Sequence, residues 1–319
     1  MRSEIAILMS TYNGEKYLKE QIESIIKQSN QDWHLYIRDD NSKDSSRAII
    51  REYAEKNEKI TFINADSTDN VGVCRSFIAL VQYAEAQYYM FCDQDDVWKT
   101  DKVEQTLNRM QQAKSLLRPV LVYTDLEIVD ENLTPLGRMY GDRVWFSFIQ
   151  FLFTNCATGC TVMFNQALKQ KINFNTLNYD DIYMHDWWFA MVAAQFGEVL
   201  YVNEPTINYR QHAGNVVGSG EENTFRRLVA RFVLHQSDVI HAQQIVRAAH
   251  EFNRLYGDEV SGMDKQYLSA YGDLYTKSSF LHNLNLVVKY PAQRINPKGK
   301  LFYSYLFVMF AKNFKFSDR

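Results

Sequence analysis

The chain has 319 residues, 46% of them apolar and 23% charged, the composition of a folded protein of one large or two smaller domains. No run approaches the roughly 18 apolar residues that crossing a bilayer requires, and no signal-peptide pattern precedes the first apolar run at residues 5–9. Charge is uneven: residues 224–319 hold 14 Lys and Arg against 7 Asp and Glu, leaving residues 1–223 with 21 against 31.

Ile5-Ala6-Ile7-Leu8-Met9 reads as a buried strand ending in the small polar turn Ser10-Thr11-Tyr12-Asn13-Gly14. Leu18, Ile22, Ile25 and Ile26 then recur at helical spacing. Residues 33–38 form a second strand that ends in Asp39-Asp40-Asn41-Ser42. Asp44 or Ser45 caps a helix through about Lys56. A third strand covers residues 60–64, Asn70-Val71-Gly72 is a turn, and a helix runs to about Ala84. The apolar run Tyr88-Tyr89-Met90-Phe91 is a fourth strand, opening into Cys92-Asp93-Gln94-Asp95-Asp96-Val97-Trp98. A helix follows over residues 100–114, then a strand over 120–124 ending at Asp125. Residues 142–153 are aromatic and suit either core or a flap. Thr158-Gly159 lies in a small-residue turn before a strand at 161–164. Asp180 to Trp188 is a second acidic cluster ahead of an apolar helix at 189–196. Two late strands, 198–202 and 206–209, lead to Arg210 and His212, which share one strand face.

Strands alternating with helices predict an α/β fold with a mostly parallel, doubly wound sheet, whose ligand sits at the carboxyl ends of the strands. The polar clusters lie at those ends. Three carboxylates in four positions, Asp93, Asp95 and Asp96, repel one another unless a cation neutralises them. Oxygen ligands of this kind suit Mg²⁺ or Mn²⁺ beside a diphosphate. An acidic surface turn capping the next helix is the alternative. The Gly-x-Gly-x-x-Gly and Walker A loops are absent, which removes the main support for dinucleotide and ATPase readings. Cys74, Cys92, Cys156 and Cys160 lack metal-type spacing and are expected to be reduced thiols in the cytosol.

In order and spacing, Ser10 to Gly14, Asp39 to Ser42, Asn70 to Gly72 and Asp93 to Trp98 resemble the family-2 glycosyltransferases of the GT-A fold. With the later motifs, the resemblance covers about residues 4–215. It implies that Thr11, Tyr12 and Asn13 lie against the nucleotide and that Asp40 accepts from the pyrimidine N3–H. It implies that Asp95, helped by Asp93, holds a divalent metal bridging the diphosphate, with Arg210 closing over it and His212 joining the metal. Arg75 would reach a phosphate, or else be a solvated helix residue. Thr158 and Gly159 match a turn beside the donor sugar. Asp186 would be the catalytic base, with His185 standing where many members have another acid. Asp96, His185 and Trp187 are the expected acceptor contacts. The reaction implied is inverting and metal-dependent, and the processive Gln-x-x-Arg-Trp motif is absent.

Within that family the chain is similar to the bacterial rhamnosyltransferase-like branch. This implies a dTDP- or UDP-linked donor, L-rhamnose as the sugar, and a lipid-linked cell-wall or capsular glycan as acceptor. A nucleotidyltransferase of related fold and a catalytically inactive sugar-nucleotide-binding module are the rivals. Composition changes after Gly218-Ser219-Gly220, which predicts a catalytic domain over 1–218 and a helical region over 219–319. Helices are expected over about 222–256 and 261–282, followed by an apolar stretch at 298–312 bracketed by lysines. The basic end faces nucleic acid or an anionic membrane, and no nucleic-acid-binding motif accompanies it. The expected place is therefore the inner face of the plasma membrane, from the cytoplasmic side. A helix docking on the catalytic domain or across a homodimer interface is the alternative for the last stretch.

Overall fold

The structure is a computed structural model and describes residues 4–212, 235–293 and 297–311. The chain divides into two compact units. The first comprises Met1–Phe146, Cys156–Phe174 and Met184–Gly218, the second Ser147–Asn155, Asn175–Tyr183 and Ser219–Arg319. Two short segments ahead of residue 218 therefore belong to the second unit.

In the first unit, β1 (Ile5–Thr11), β2 (Trp33–Asp39), β3 (Ile60–Phe62) and β4 (Tyr88–Cys92) are parallel in the order β3-β2-β1-β4. Beyond β4 the sheet continues through β8 (Val162–Asn165), β6 (Val120–Val129), β9 (Glu198–Arg210) and the two-residue β5 (Val97–Trp98). β8 is antiparallel to both neighbours, β6 and β9 are parallel, and β7 (Pro135–Arg138) pairs antiparallel with β6. The unbroken apolar run of β1 follows from burial of both its faces. Ile5, Ile7 and Met9 pack in one cluster with Leu18, Ile22 and Ile25 of α1 (Leu18–Ile26). Ala6 and Leu8 point the other way and are equally buried. The remaining helices of this unit are α2 (Ser46–Lys56), α3 (Val73–Tyr83), α4 (Lys102–Met110), α6 (Gln166–Lys171) and α7 (His185–Phe196).

The two late strands expected at the end of the unit are one strand, β9. Its pairing with β6 shifts register around Asp125 and Pro205, where a proline without an N–H is tolerated at a bulge. The apolar helix begins at His185, so Asp186 lies in its first turn.

The second unit contains α5 (Phe148–Phe153), α8 (His235–Tyr256), α9 (Gly262–Asp273), α10 (Phe280–Lys289) and α11 (Pro297–Phe310). α5 places residues 148–153 of the aromatic segment in the core, whereas Asp142, Arg143 and Phe146 ahead of it are exposed: Phe148 packs on Phe252 with ring centroids 4.9 Å apart, and Phe153 meets Tyr271 edge-on at 4.6 Å. Ser147 and Gln150 close a capping box at its start. The helix expected over 261–282 is two helices, because Ser279 caps a new one by accepting from the His282 N–H. Residues 222–234 of the expected first helix lie outside the described residues.

Candidate functional site

At the carboxyl ends of β1, β2 and β4, the turns are tied together by side chains. Asn13 adopts a positive φ of 49°. Its backbone N–H donates to Ser42 Oγ at 2.8 Å, and its Oδ1 accepts from Lys43 N at 2.8 Å. Gln94 holds the Tyr12 backbone from the acidic loop, accepting from its N–H at 2.8 Å and donating to its carbonyl at 3.0 Å. Tyr12 and Asn13 are thus presented at the exposed edge of the rim. Thr11 is not: it is buried and its Oγ1 donates to Asp39 Oδ2 at 3.0 Å, so its side chain cannot face a nucleotide.

The two aspartates after β2 have distinct surroundings. Asp39 accepts from Thr11, from Ser42 N–H and Oγ, and from Arg47 Nη1, which makes it a buried brace for the turn. Asp40 Oδ1 accepts from Arg38 Nη1 at 2.6 Å and from Val71 N at 2.8 Å, and Oδ2 accepts from Gly72 N at 2.8 Å. Gly72 reaches this bond with φ 81°, a conformation open to glycine. Asp40 therefore clamps the Asn70-Val71-Gly72 turn to β2 and keeps one lone pair on Oδ2. Arg75 is exposed in the first turn of α3.

In the acidic loop, three carboxylates have three environments. Asp95 reaches solvent, and its Oδ2 lies 2.9 Å from His212 Nε2. Asp93 is pushed up to about 7 by burial and by the charges of Asp95 and Asp186. Asp96 is sealed from solvent, which corrects its expected contact with an acceptor. Its Oδ1 accepts from Arg210 N at 3.1 Å, its Oδ2 has no partner at hydrogen-bonding distance, and burial holds its carboxyl well above the usual range. Lys102, also fully buried, is pushed down to about 8 by burial. Its Nζ donates to Thr206 Oγ1 at 3.2 Å and lies 4.9 Å from the centre of the Trp98 ring.

Arg210 differs from expectation. Its guanidinium is buried and committed: Nε donates to the Asp95 carbonyl at 3.0 Å, Nη1 to the Glu131 carbonyl, and Nη2 to Glu20. It also stacks on Tyr17, 4.5 Å from the ring centre, with His212 on the same ring at 5.0 Å between centroids. Closing over a diphosphate would break these bonds. In this conformation Arg210 holds the Asp95 backbone in place.

α7 presents the last carboxylate. Asp186 Oδ2 accepts from Gly159 N at 2.8 Å and Oδ1 from its own helix at Trp187 N, 2.6 Å. A carboxylate in a first helical turn suits the helix dipole. A Cβ at Gly159 would sit 3.2 Å from His185 Nε2 and 3.6 Å from Asp186, so the glycine makes this approach possible. Gly159 thus serves Asp186, and the Thr158 hydroxyl bonds Tyr140. His185 is core. It stacks on Phe77 at 4.0 Å, meets Phe91 edge-on at 4.5 Å, and neither ring nitrogen has a partner. Burial pushes it down to about 3, so it stays neutral and cannot assist as a cation. Trp187 is buried as well and offers no exposed platform to an acceptor sugar. These are the second and third corrections to the acceptor set.

The residues that organise this site without a motif are Gln94, Tyr17, Glu20, Glu131 and Lys102. Only Gln94, inside the acidic loop, carried a local signal. The others act across up to 190 positions of sequence, as Glu20 does with Arg210.

Residues 6–171 match the model of the family described as Glycosyl transferase family 2. The dTDP-rhamnosyl transferase RfbG of Shigella flexneri is 30% identical over 224 residues, 66% of this chain and 74% of that protein. The UDP-Glc:alpha-D-GlcNAc-diphosphoundecaprenol beta-1,3-glucosyltransferase WfgD of Escherichia coli is 24% identical over 59% of this chain and 69% of its own length. Among solved structures, S. aureus TarS 1-349 in complex with UDP-GlcNAc aligns over 98% of this chain and 93% of its own, with a TM-score of 0.54 at 16% identity.

Proposed function

This chain belongs to glycosyl transferase family 2, and from that premise we propose that it moves a sugar, L-rhamnose by similarity to RfbG, from a pyrimidine-nucleotide donor to a lipid-linked glycan, with inversion and with a divalent metal. The observation that carries the reading is the pairing of two groups on one rim. Asp95 and His212 face each other at 2.9 Å and reach solvent, and Asp186, held by the Gly159 N–H, is among the charges that push Asp93 up. The lipid-linked acceptor is supported by the diphosphoundecaprenol substrate in the name of WfgD.

The residues fit a metal. Asp93, raised to about 7 among like charges, marks a site short of positive charge. Asp93, Asp96 and Cys160 also bring ligand atoms within 4.8 Å of one another. Two of them are sealed from solvent, and burial holds the Cys160 thiol well above its usual range, so no thiolate is available there. Asp95 and His212, with Asp93 beside them, would hold the ion. Carboxylates with one imidazole fit Mn²⁺ better than Mg²⁺, which prefers an all-oxygen shell. When bound, the ion supplies charge stabilisation to the departing diphosphate.

The chain's own residues do the rest. Asp186 takes the proton from the acceptor hydroxyl as that oxygen attacks the anomeric carbon opposite the leaving nucleoside diphosphate. The Gly159 and Trp187 N–H groups orient its carboxylate. Arg210 keeps Asp95 facing His212. Tyr12 and Asn13 flank the nucleotide, and Asp40 offers its remaining Oδ2 lone pair to the pyrimidine N3–H. Arg75 is the nearest exposed cation of α3 for a phosphate, and Thr158 lies on the sugar side.

Asp40→Asn tests this binding mode. The amide removes the charge-assisted acceptor and leaves Arg38 without its anion. UDP and dTDP should bind about 1–3 kcal/mol more weakly by calorimetry, together with a lower melting temperature. Unchanged affinity for both nucleotides in a destabilised protein would make Asp40 a clamp for the Gly72 turn and nothing more.

A further inference from the structure

We propose that the second unit carries a docking site for an anionic phospholipid surface, formed by the groove between α9 and α10 and by the outer faces of α10 and α11. The inference goes beyond glycosyl transfer and does not depend on it.

α10 is apolar on two sides. Its inner side carries Leu286 and Val287, with Asn283 donating to the Phe307 carbonyl of α11 at 3.1 Å. Its outer side carries Leu281, Leu284 and Val288 at i, i+3 and i+7, exposed by 76%, 42% and 75%. One apolar stripe suffices to dock a helix, so a second stripe left in water marks an interaction surface. α11 repeats the pattern. Tyr303, Leu306 and Phe307 are buried, while Leu301, Tyr305 and Met309 recur at i, i+4 and i+8 on the exposed side.

Charge selects the occupant. Residues 274–317 contain seven Lys and Arg and no Asp or Glu. The groove between α9 and α10 encloses about 410 Å³ and is lined by Lys265, Gln266, His282, Asn285, Lys289 and Tyr290 among others, with no carboxylate. Lys265 Nζ donates to Asn253 Oδ1 and to the Gly257 carbonyl, which leaves its third N–H for an anion. A cationic groove beside an exposed apolar stripe matches phosphate headgroups above acyl chains. A free anion would have no use for the stripe, and a two-fold pairing of the stripe with itself would set one acid-free basic stretch against another. Among the described residues no helix is long and apolar enough to cross a membrane, so the contact is interfacial.

The test mixes the full-length protein at low salt with vesicles of phosphatidylcholine, either alone or combined equally with phosphatidylglycerol, and reads the bound fraction by flotation. The protein should float with the anionic vesicles and be released by salt. Lys289→Gln should weaken partition about fivefold, and Leu281→Ser with Val288→Ser at least about tenfold. Both variants should melt like wild type and bind dTDP unchanged. Failure of the wild type to float, or flotation unaltered in both variants, overturns the proposal. So does a dimer in sedimentation velocity that the Leu281/Val288 variant dissociates, because the stripe would then be covered by a second copy.

Discussion

Asp186→Asn should lower turnover by about 10²–10⁴-fold, the usual contribution of a general base, with donor affinity unchanged. The asparagine carbonyl can still accept from the Gly159 N–H, so the Thr158-Gly159 turn stays in place. What is lost is the ability to take a proton. Its amide would face the Trp187 N–H, a mismatch that costs about 1–3 kcal/mol of stability and is read separately by thermal melting. Single-turnover assays at saturating donor, together with donor titration, separate chemistry from binding. Lost donor affinity with retained turnover would make Asp186 a binding residue. The structure leaves few substitutes: Asp96 is sealed, and Asp181 is ion-paired with Arg247 at 3.4 Å in the second unit.

Asp95→Asn should lower metal-dependent turnover by at least about 10³-fold, because a leaving-group metal stabilises the departing charge by several kcal/mol. Asp95 is the carboxylate that both reaches solvent and faces an imidazole, at 2.9 Å. The Arg210 bond to this position goes to the backbone carbonyl, so the substitution leaves the loop anchored. Mn²⁺ titration by calorimetry or by electron paramagnetic resonance gives a readout independent of activity, and it should show the bound ion lost. Near-normal Mn²⁺ affinity in Asp95→Asn would move the metal to another ligand set.

Much of the first unit was legible because its signals are local. The run Ile5 to Met9 is uninterrupted because the strand is buried on both faces, and the turns that follow β1, β2 and β4 keep their polar residues together in sequence. The roles inside the acidic loop were not legible. Asp93, Asp95 and Asp96 read alike as letters, yet Asp95 faces His212, Asp96 is sealed against Arg210 N, and Asp93 is pushed up to about 7 by burial and by neighbouring charge. His185 stands in an acidic position by motif but is set among Phe77 and Phe91, which makes it a neutral core ring. Arg210 looked available because its partners Glu20 and Glu131 lie 190 and 79 positions away. The second unit was hardest to delimit, since α5 and residues 175–183 join it from within the preceding segment.

Release of nucleotide from a donor panel decides between sugar transfer and its rivals. The full-length protein is incubated with dTDP-L-rhamnose, UDP-glucose, UDP-GlcNAc and GDP-mannose, with and without Mn²⁺. Free nucleoside diphosphate and pyrophosphate are quantified separately. Metal-assisted sugar transfer predicts slow, Mn²⁺-dependent release of a pyrimidine nucleoside diphosphate from dTDP-L-rhamnose or a UDP-sugar, abolished in Asp95→Asn. Pyrophosphate as the product would indicate nucleotidyl transfer, and tight binding of a donor with no release under any condition would indicate an inactive sugar-nucleotide-binding module; either result contradicts it.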